Sequence, residues 1–210
     1  MQKIENIILD YGNVIFMIDF LKSQQAFTQL GIKNVDEIFA HTGQIELFDD
    51  FDKGIITPDQ FRDGIRKLTK NPALTNQEID EAWNALLLGV PEGKHELLLK
   101  LKSKYRTFLL SNNNAIHYDC CMRHIQKKYG VPDNSMFFEK TYYSHLLGMR
   151  KPNADIFQHV LQEQNLDPGK TLFIDDSPQH LRTAANLGMI TALCTADEPL
   201  DFILANWGLL

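Results

Sequence analysis

With 210 residues, 44% of them hydrophobic and 23% charged, the chain has the composition of a folded globular protein, and 12 Gly and 8 Pro exclude collagen-like and disordered classes. Twenty-one basic against 27 acidic residues give a net charge of −6, which offers no sequence-wide attraction to nucleic acid or to an anionic membrane, so an anionic substrate would need a local cationic site. No apolar run approaches the roughly 20 residues of a bilayer span, and MQKIENIILD turns acidic before a signal-peptide core develops, so the chain reads as cytoplasmic, with no membrane and no nucleic-acid partner.

The first element is a β-branched apolar run, IENIILD, that closes on Asp10 and gives way to the turn formers Tyr11, Gly12 and Asn13, as a buried strand ending in a loop does. From about Asp19 to Leu87 no convincing strand follows. Phe61, Ile65 and Leu68 keep helical spacing, as do Ile79, Trp83 and Leu87, and Gly43, Gly54, Pro58 and Gly89-Val90-Pro91 punctuate the stretch. This block reads as an all-helical insertion. Beyond it, Leu97, Leu98 and Leu101 predict a helix, and TFLLSNNN predicts a strand ending in Ser111 and Asn112. A short strand precedes Ser144, a helix carries Ile156, Phe157, Val160 and Leu161, and TLFIDDSP is a strand ending in Asp175 and Asp176. A helix with Leu181, Ala184 and Ala185 and a last strand over 189–195 complete the pattern. Strand and helix alternate, so the expected fold is α/β, a doubly wound parallel sheet formed by residues 1–18 and 88–210, with 19–87 as a small helical domain over its carboxyl edge. The odd count of three cysteines, Cys120, Cys121 and Cys194, without a CxxC spacing, predicts free thiols rather than a disulfide framework or a zinc site.

Ligands of open parallel sheets bind outside the carboxyl ends of the strands, where Asp10, Ser111, Asn112, Asp175 and Asp176 would converge. Three carboxylates gathered at one edge repel one another unless a cation joins them, and an all-oxygen set suits Mg²⁺. Against this stands the ordinary use of a single Asp as a helix cap, which Asp176-Ser177-Pro178 could serve. Ser111 and Asn112 lie where a strand gives way to a helix, so hydroxyl, amide and free backbone N–H groups can hold an oxyanion such as phosphate, or merely cap the helix. Lys151, in GMRKPN before an amphipathic helix, can supply the missing positive charge, although most lysines are simply solvated.

The order and placement of IILDYGNV, LLSNNN, GMRKP and FIDDSP resemble the four motifs of the haloacid dehalogenase (HAD) superfamily over nearly the whole chain. The insertion after the first strand implies the C1 cap class on a Rossmann-like core. Carried over, the resemblance implies that Asp10 is a nucleophile forming an aspartyl-phosphate, with Ser111, Asn112 and Lys151 holding phosphate. Asp10, the Gly12 carbonyl and Asp176, with Asp175 as second choice, would hold Mg²⁺. The implied activity is a Mg²⁺-dependent phosphatase for a small phosphorylated metabolite, a sugar phosphate among the candidates, working as a monomer or weak homodimer. The family usually carries a second Asp two residues after the nucleophile as general acid and base, and here Gly12 stands in that place. A positioned acid is worth about 10² to 10⁴ in rate, so leaving groups of low basicity would suffer least. The subgroup that DYGNVIFMIDF and GMRKP resemble, which includes a bacterial α-glucose-1-phosphate phosphatase, also carries Gly there. Asp19 is a conceivable substitute acid, but nine residues past Asp10 it more naturally opens the helical block. Two other readings follow from the same residues: a dehalogenase, which needs no metal and no paired acids, and a catalytically weakened regulatory phosphate-binding protein, favoured by Gly12. The histidines show no metal-binding spacing, Arg150 reads as a loop anchor or a solvated cation, and Phe16, Phe48 and Phe51 as wall or core of the helical block.

Overall fold

The computed structural model describes residues 3–33, 35 and 46–210; Gly43, one of the punctuation points above, lies outside them. Five strands form a parallel sheet: β1 (Asn6–Leu9), β4 (Arg106–Ser111), β5 (Lys140–Tyr143), β6 (Thr171–Asp175) and β7 (Ile190–Leu193), in the order β5-β4-β1-β6-β7. The apolar runs explain this order. A strand covered on both faces needs apolar side chains in both directions, and β1 is buried throughout, with Leu9 opposite Leu109 on one side and Ile174 on the other. Its side chains alternate between two cores. Ile7 and Leu9 pack with Leu98 and Leu101 of α5 (Lys94–Lys102), Met122 and Ile125 of α6 (Ala115–Tyr129), and Ile203 and Leu204 of α10 (Leu200–Asn206). Ile8 packs with Phe157 and Val160 of α8 (Ala154–Glu163) and Ala184 of α9 (Pro178–Asn186). The doubly wound expectation is met, and the switch in winding direction falls at β1, beside Asp10.

Four described helices occupy the stretch without predicted strands: α1 (Phe20–Gln29), α2 (Glu46–Asp52), α3 (Pro58–Thr69) and α4 (Asn76–Asn84). Their starts are written locally. Thr57 with Gln60 and Thr75 with Glu78 form reciprocal capping boxes, and Pro58 occupies the first turn of α3, where its missing N–H costs nothing. Phe48, Phe51, Phe61, Ile65 and Trp83 form a third core, in which Phe51 stacks on Phe61 at 4.3 Å between ring centres. Phe48 and Phe51 therefore belong to the core of these helices, whereas Phe16 joins the sheet's core, 5.4 Å from Tyr11 and 5.3 Å from His124.

Leu87 departs from its predicted helical spacing. α4 stops at Asn84, and Leu87 lies instead in β3 (Leu87–Gly89), which pairs antiparallel with β2 (Met17–Ile18), Ile18 opposite Leu87 and Met17 opposite Gly89. Strands of two and three residues have no period to read, and each depends on a partner about 70 residues away. Asp19 caps α1 by accepting from Leu21 N, the use that its place at the opening of the helical block suggested. The three cysteines are free, Cys121 and Cys194 buried and Cys120 half-buried, and no described helix is long and apolar enough to cross a membrane.

His95 in α5 is buried against Tyr129 and Phe137, 3.9 and 4.2 Å between ring centres, and among the described residues neither ring nitrogen has a hydrogen-bond partner. Burial, helped by the charge of Lys128, lowers its pKa from 6.5 to about 4. Above pH 6.5 the ring is neutral in both states and its burial adds no pH-dependent cost. Between 6.5 and 4 only the unfolded chain takes up the proton, so stability falls as pH falls through that window. At 1.36 kcal/mol per pH unit, His95 is expected to cost roughly 2 kcal/mol between pH 6.5 and 5. Urea unfolding at pH 7 and 5 checks this: His95→Leu should show a smaller loss on acidification than the parent, and equal losses would refute the assignment.

Candidate active site

Each strand end contributes one part of the site. Asp10 follows β1, its N–H bonded to the Ile174 carbonyl at 2.9 Å, and its side chain is nearly buried. Asp175 ends β6 and is fully buried; Asp176 follows it, half-buried. Carboxylate oxygens of the three acids lie within 4.8 Å of one another. Lys151, also fully buried, is set between two of them, its Nζ donating to Asp10 Oδ1 and Asp175 Oδ2 at 2.7 Å each. Among the described residues the lysine's charge is matched by more than one acid. Burial, with the charges of Asp175 and Asp176 added, pushes the Asp10 carboxyl up to about 7 against the pull of Lys151. Burial works in the same upward direction on Asp175, but Lys151 and His180 overcome it and hold that group down to about 2. The donor set is all oxygen and carries excess negative charge, and it fits a divalent cation of the Mg²⁺ type.

The supporting contacts are more specific than the sequence suggested. Asn112 lies just past β4, and its side chain clamps the main chain of Lys151, Nδ2 donating to the Lys151 carbonyl at 2.8 Å and Oδ1 accepting from the Lys151 N–H at 2.9 Å. Both polar ends of the side-chain amide are thus committed to placing the lysine, so any contact of Asn112 with phosphate falls to its main chain. Ser111, buried at the end of β4, leans its hydroxyl weakly on the Asn112 carbonyl at 3.3 Å and remains available to an oxyanion. Gly12 takes an ordinary negative φ and bridges to Phe16; it is Asn13, at φ 56°, that makes the left-handed turn.

Three contributors escaped the sequence reading. His180 places Nδ1 at 2.9 and 3.0 Å from the two oxygens of Asp175. Its position four residues past Asp176, on the first turn of a helix starting at Pro178, was a signal available in the sequence. Asn13 donates from Nδ2 to Asp176 Oδ2 at 2.9 Å. Asn114 accepts from the Trp83 indole at 3.2 Å and donates to Asp52 at 3.1 Å, joining α4 and α2 to the loop after β4. Arg150 belongs to the same junction. It is nearly buried, pairs with Asp49 and stands 3.8 Å from Asp52, so it anchors the loop before Lys151 to α2 rather than facing solvent. Burial raises the Asp52 carboxyl to about 6 against the Asn114 hydrogen bond. His180 meets an acid five residues before it, whereas Asn13, Asn114 and Arg150 are held by partners distant in sequence that no local pattern encodes.

The haloacid dehalogenase-like hydrolase family model matches residues 5–188. The chain belongs to that family. It is 31% identical over 188 residues to the D-ribitol-5-phosphate phosphatase of Bacteroides thetaiotaomicron, covering 90% of each chain. A HAD family enzyme of the same organism, crystallised with magnesium and inorganic phosphate, superposes with a TM-score of 0.84 at 36% identity, over 95% of this chain and 98% of that one. A HAD-like family hydrolase structure from Porphyromonas gingivalis gives 0.82 at 32% identity over 90% of each chain.

Proposed function

We propose that this hydrolase is a Mg²⁺-dependent phosphatase of small phosphorylated metabolites, that a polyol phosphate of the ribitol-5-phosphate kind is its substrate, and that Asp10 is its nucleophile. The observation that carries the reading is Lys151 buried between Asp10 and Asp175 with a third acid, Asp176, beside them. A dehalogenase has no use for such paired acids. The relative's name favours a phosphate ester, and the magnesium and phosphate in the neighbouring structure favour the same cofactor.

In this mechanism the substrate's phosphoryl group enters at the carboxyl ends of β1 and β4, where Lys151 and the Ser111 hydroxyl face its oxygens. Asp10, held by Lys151 through Oδ1, attacks phosphorus in line; the P–O ester bond breaks and the alcohol leaves with a proton taken from water. Water then attacks the aspartyl-phosphate, releasing inorganic phosphate and restoring the Asp10 carboxylate. Asp10, Asp176 and the Gly12 carbonyl are the groups that would hold Mg²⁺, which when bound neutralises phosphoryl oxygens. Every side chain in the scheme comes from one chain, which suits a monomer or weak homodimer acting on a free metabolite in the cytoplasm.

The relative is named for D-ribitol-5-phosphate, which favours a polyol ester over the leaving groups of low basicity to which Gly12 points. Phosphate release from D-ribitol-5-phosphate, α-glucose-1-phosphate and an aryl phosphate, with and without Mg²⁺, beside halide release from a chloroalkanoate, tests the reading. Mg²⁺-dependent phosphate release with the highest kcat/KM on the polyol ester is expected. Halide release, or no phosphate release, would overturn it.

The missing acid gives a further prediction. At Gly12 the backbone accepts any residue, and an added Cβ meets only the flexible end of Ile18, at 3.1 Å. Gly12→Asp should therefore fold and, by supplying a proton to the leaving oxygen, raise the rate on alkyl phosphates about tenfold while moving aryl phosphates far less. Equal changes on both classes would show that the leaving group is protonated by another route.

A further inference from the structure

The two adjacent acids are held differently. Asp175 has both oxygens engaged: Oδ1 accepts from Ser177 N at 2.8 Å and faces His180 Nδ1 at 2.9 Å, while Oδ2 accepts from Lys151 and stands 3.0 Å from the same imidazole nitrogen. Asp176 has one partner, the Asn13 amide at Oδ2, and among the described residues its Oδ1 accepts no hydrogen bond. The orientation of that amide is fixed by its other end. Asn13 Oδ1 accepts from the Ile18 N–H at 3.2 Å, and a backbone N–H can only donate, so Nδ2 must face Asp176.

Asn13 also sits at φ 56°, a conformation in which glycine is the unstrained residue and asparagine a tolerated one. For turning the chain, glycine would serve. The side chain adds a link from Asp176 to Ile18 of β2, the strand through which the chain leaves the sheet for its helical block and which β3 meets on the return. Resting on the phosphatase reading above, we propose that Asn13 is a positioning residue that aims the free oxygen of Asp176 at the divalent cation, while His180 reserves Asp175 for Lys151. The labour of the acid pair is thus divided by two side chains from different elements.

Asn13→Gly isolates the amide, because glycine keeps the left-handed turn. Mg²⁺ binding to the metal-free protein, followed by titration calorimetry, should weaken about fivefold to tenfold in this variant, and activity lost at low Mg²⁺ should return when Mg²⁺ is raised. His180→Leu should instead lower kcat about tenfold at saturating Mg²⁺ with the Mg²⁺ Kd within twofold of the parent, and His180→Asn, which restores a donor, should recover part of kcat. The rise in Tm on adding Mg²⁺, taken for each variant against its own metal-free form, reads the same coupling without turnover. An unchanged Kd in Asn13→Gly, a His180→Leu variant that weakens Mg²⁺ equally, or an Asn13→Gly chain that does not fold would overturn the inference. Asp176→Ala separates it from the reading beneath: a large loss of Mg²⁺ affinity there with none in Asn13→Gly removes only the role of Asn13. No loss in Asp176→Ala removes the metal assignment as well.

Discussion

Asp10→Asn is expected to yield a folded protein whose phosphate release is lower by about 10³-fold or more. The amide has the shape of the carboxylate and its oxygen can still accept from Lys151, so the buried contact at 2.7 Å survives in neutral form. The change also removes one of three mutually repelling acids, whose crowding adds to the upward push on the Asp10 carboxyl, and the net effect on stability should lie within about 1 kcal/mol of zero. What the amide lacks is nucleophilicity. An aspartate converts one difficult displacement into two easier ones, and without it only unassisted attack by water remains. The decisive measurement is single-turnover phosphate release beside a thermal melt. A variant with a normal melt and no turnover supports the nucleophile assignment, whereas retained turnover would refute it.

Lys151→Met is expected to lose activity to a similar degree and, unlike Asp10→Asn, to lose stability. Lys151 is a fully buried cation with two carboxylates at 2.7 Å, its ammonium 5.5 Å from the centre of the Phe173 ring and its main chain clamped by Asn112. Its pKa stays above the usual lysine value although burial alone would lower it, because Asp10 and Asp175 both favour the charged form. Methionine fills the same volume but leaves two buried acids without their cation, and breaking a buried pair from one side costs about 3–5 kcal/mol. For a chain of this size that corresponds to a fall in Tm of roughly 10 °C. Mg²⁺ should recover part of the stability in the variant, since a divalent cation relieves the same repulsion, and should not recover turnover. A thermal melt with and without Mg²⁺ checks both statements; an unchanged Tm would mean that the acids are neutralised by protonation instead. Lys151→Arg is no substitute test, because a planar guanidinium does not fit a site shaped for a compact ammonium.

The fold class could be read from the sequence because the three central parallel strands are buried on both faces and therefore write continuous apolar runs, as in IIL, FLLS and LFID. Chain polarity then puts the residues that end each run at the carboxyl edge, which brings Asp10, Ser111, Asp175 and Asp176 to one place. Helix starts such as Thr57-Pro58 and Thr75 were equally legible, since a cap is a contact within three residues.

The tertiary structure decided what depends on partners far apart in the chain. Only there does Leu87 become a strand facing Ile18, and only there does the Asn112 amide turn from phosphate to the Lys151 main chain. The difference between Asp175 and Asp176 is of the same kind, with Lys151 at one and Asn13 at the other. The physical reason is range. Apolar periodicity and caps act within a turn or two of chain, whereas the direction in which a buried polar group points is set by whichever donors the fold brings within 3 Å, and a one-dimensional pattern does not carry that distance.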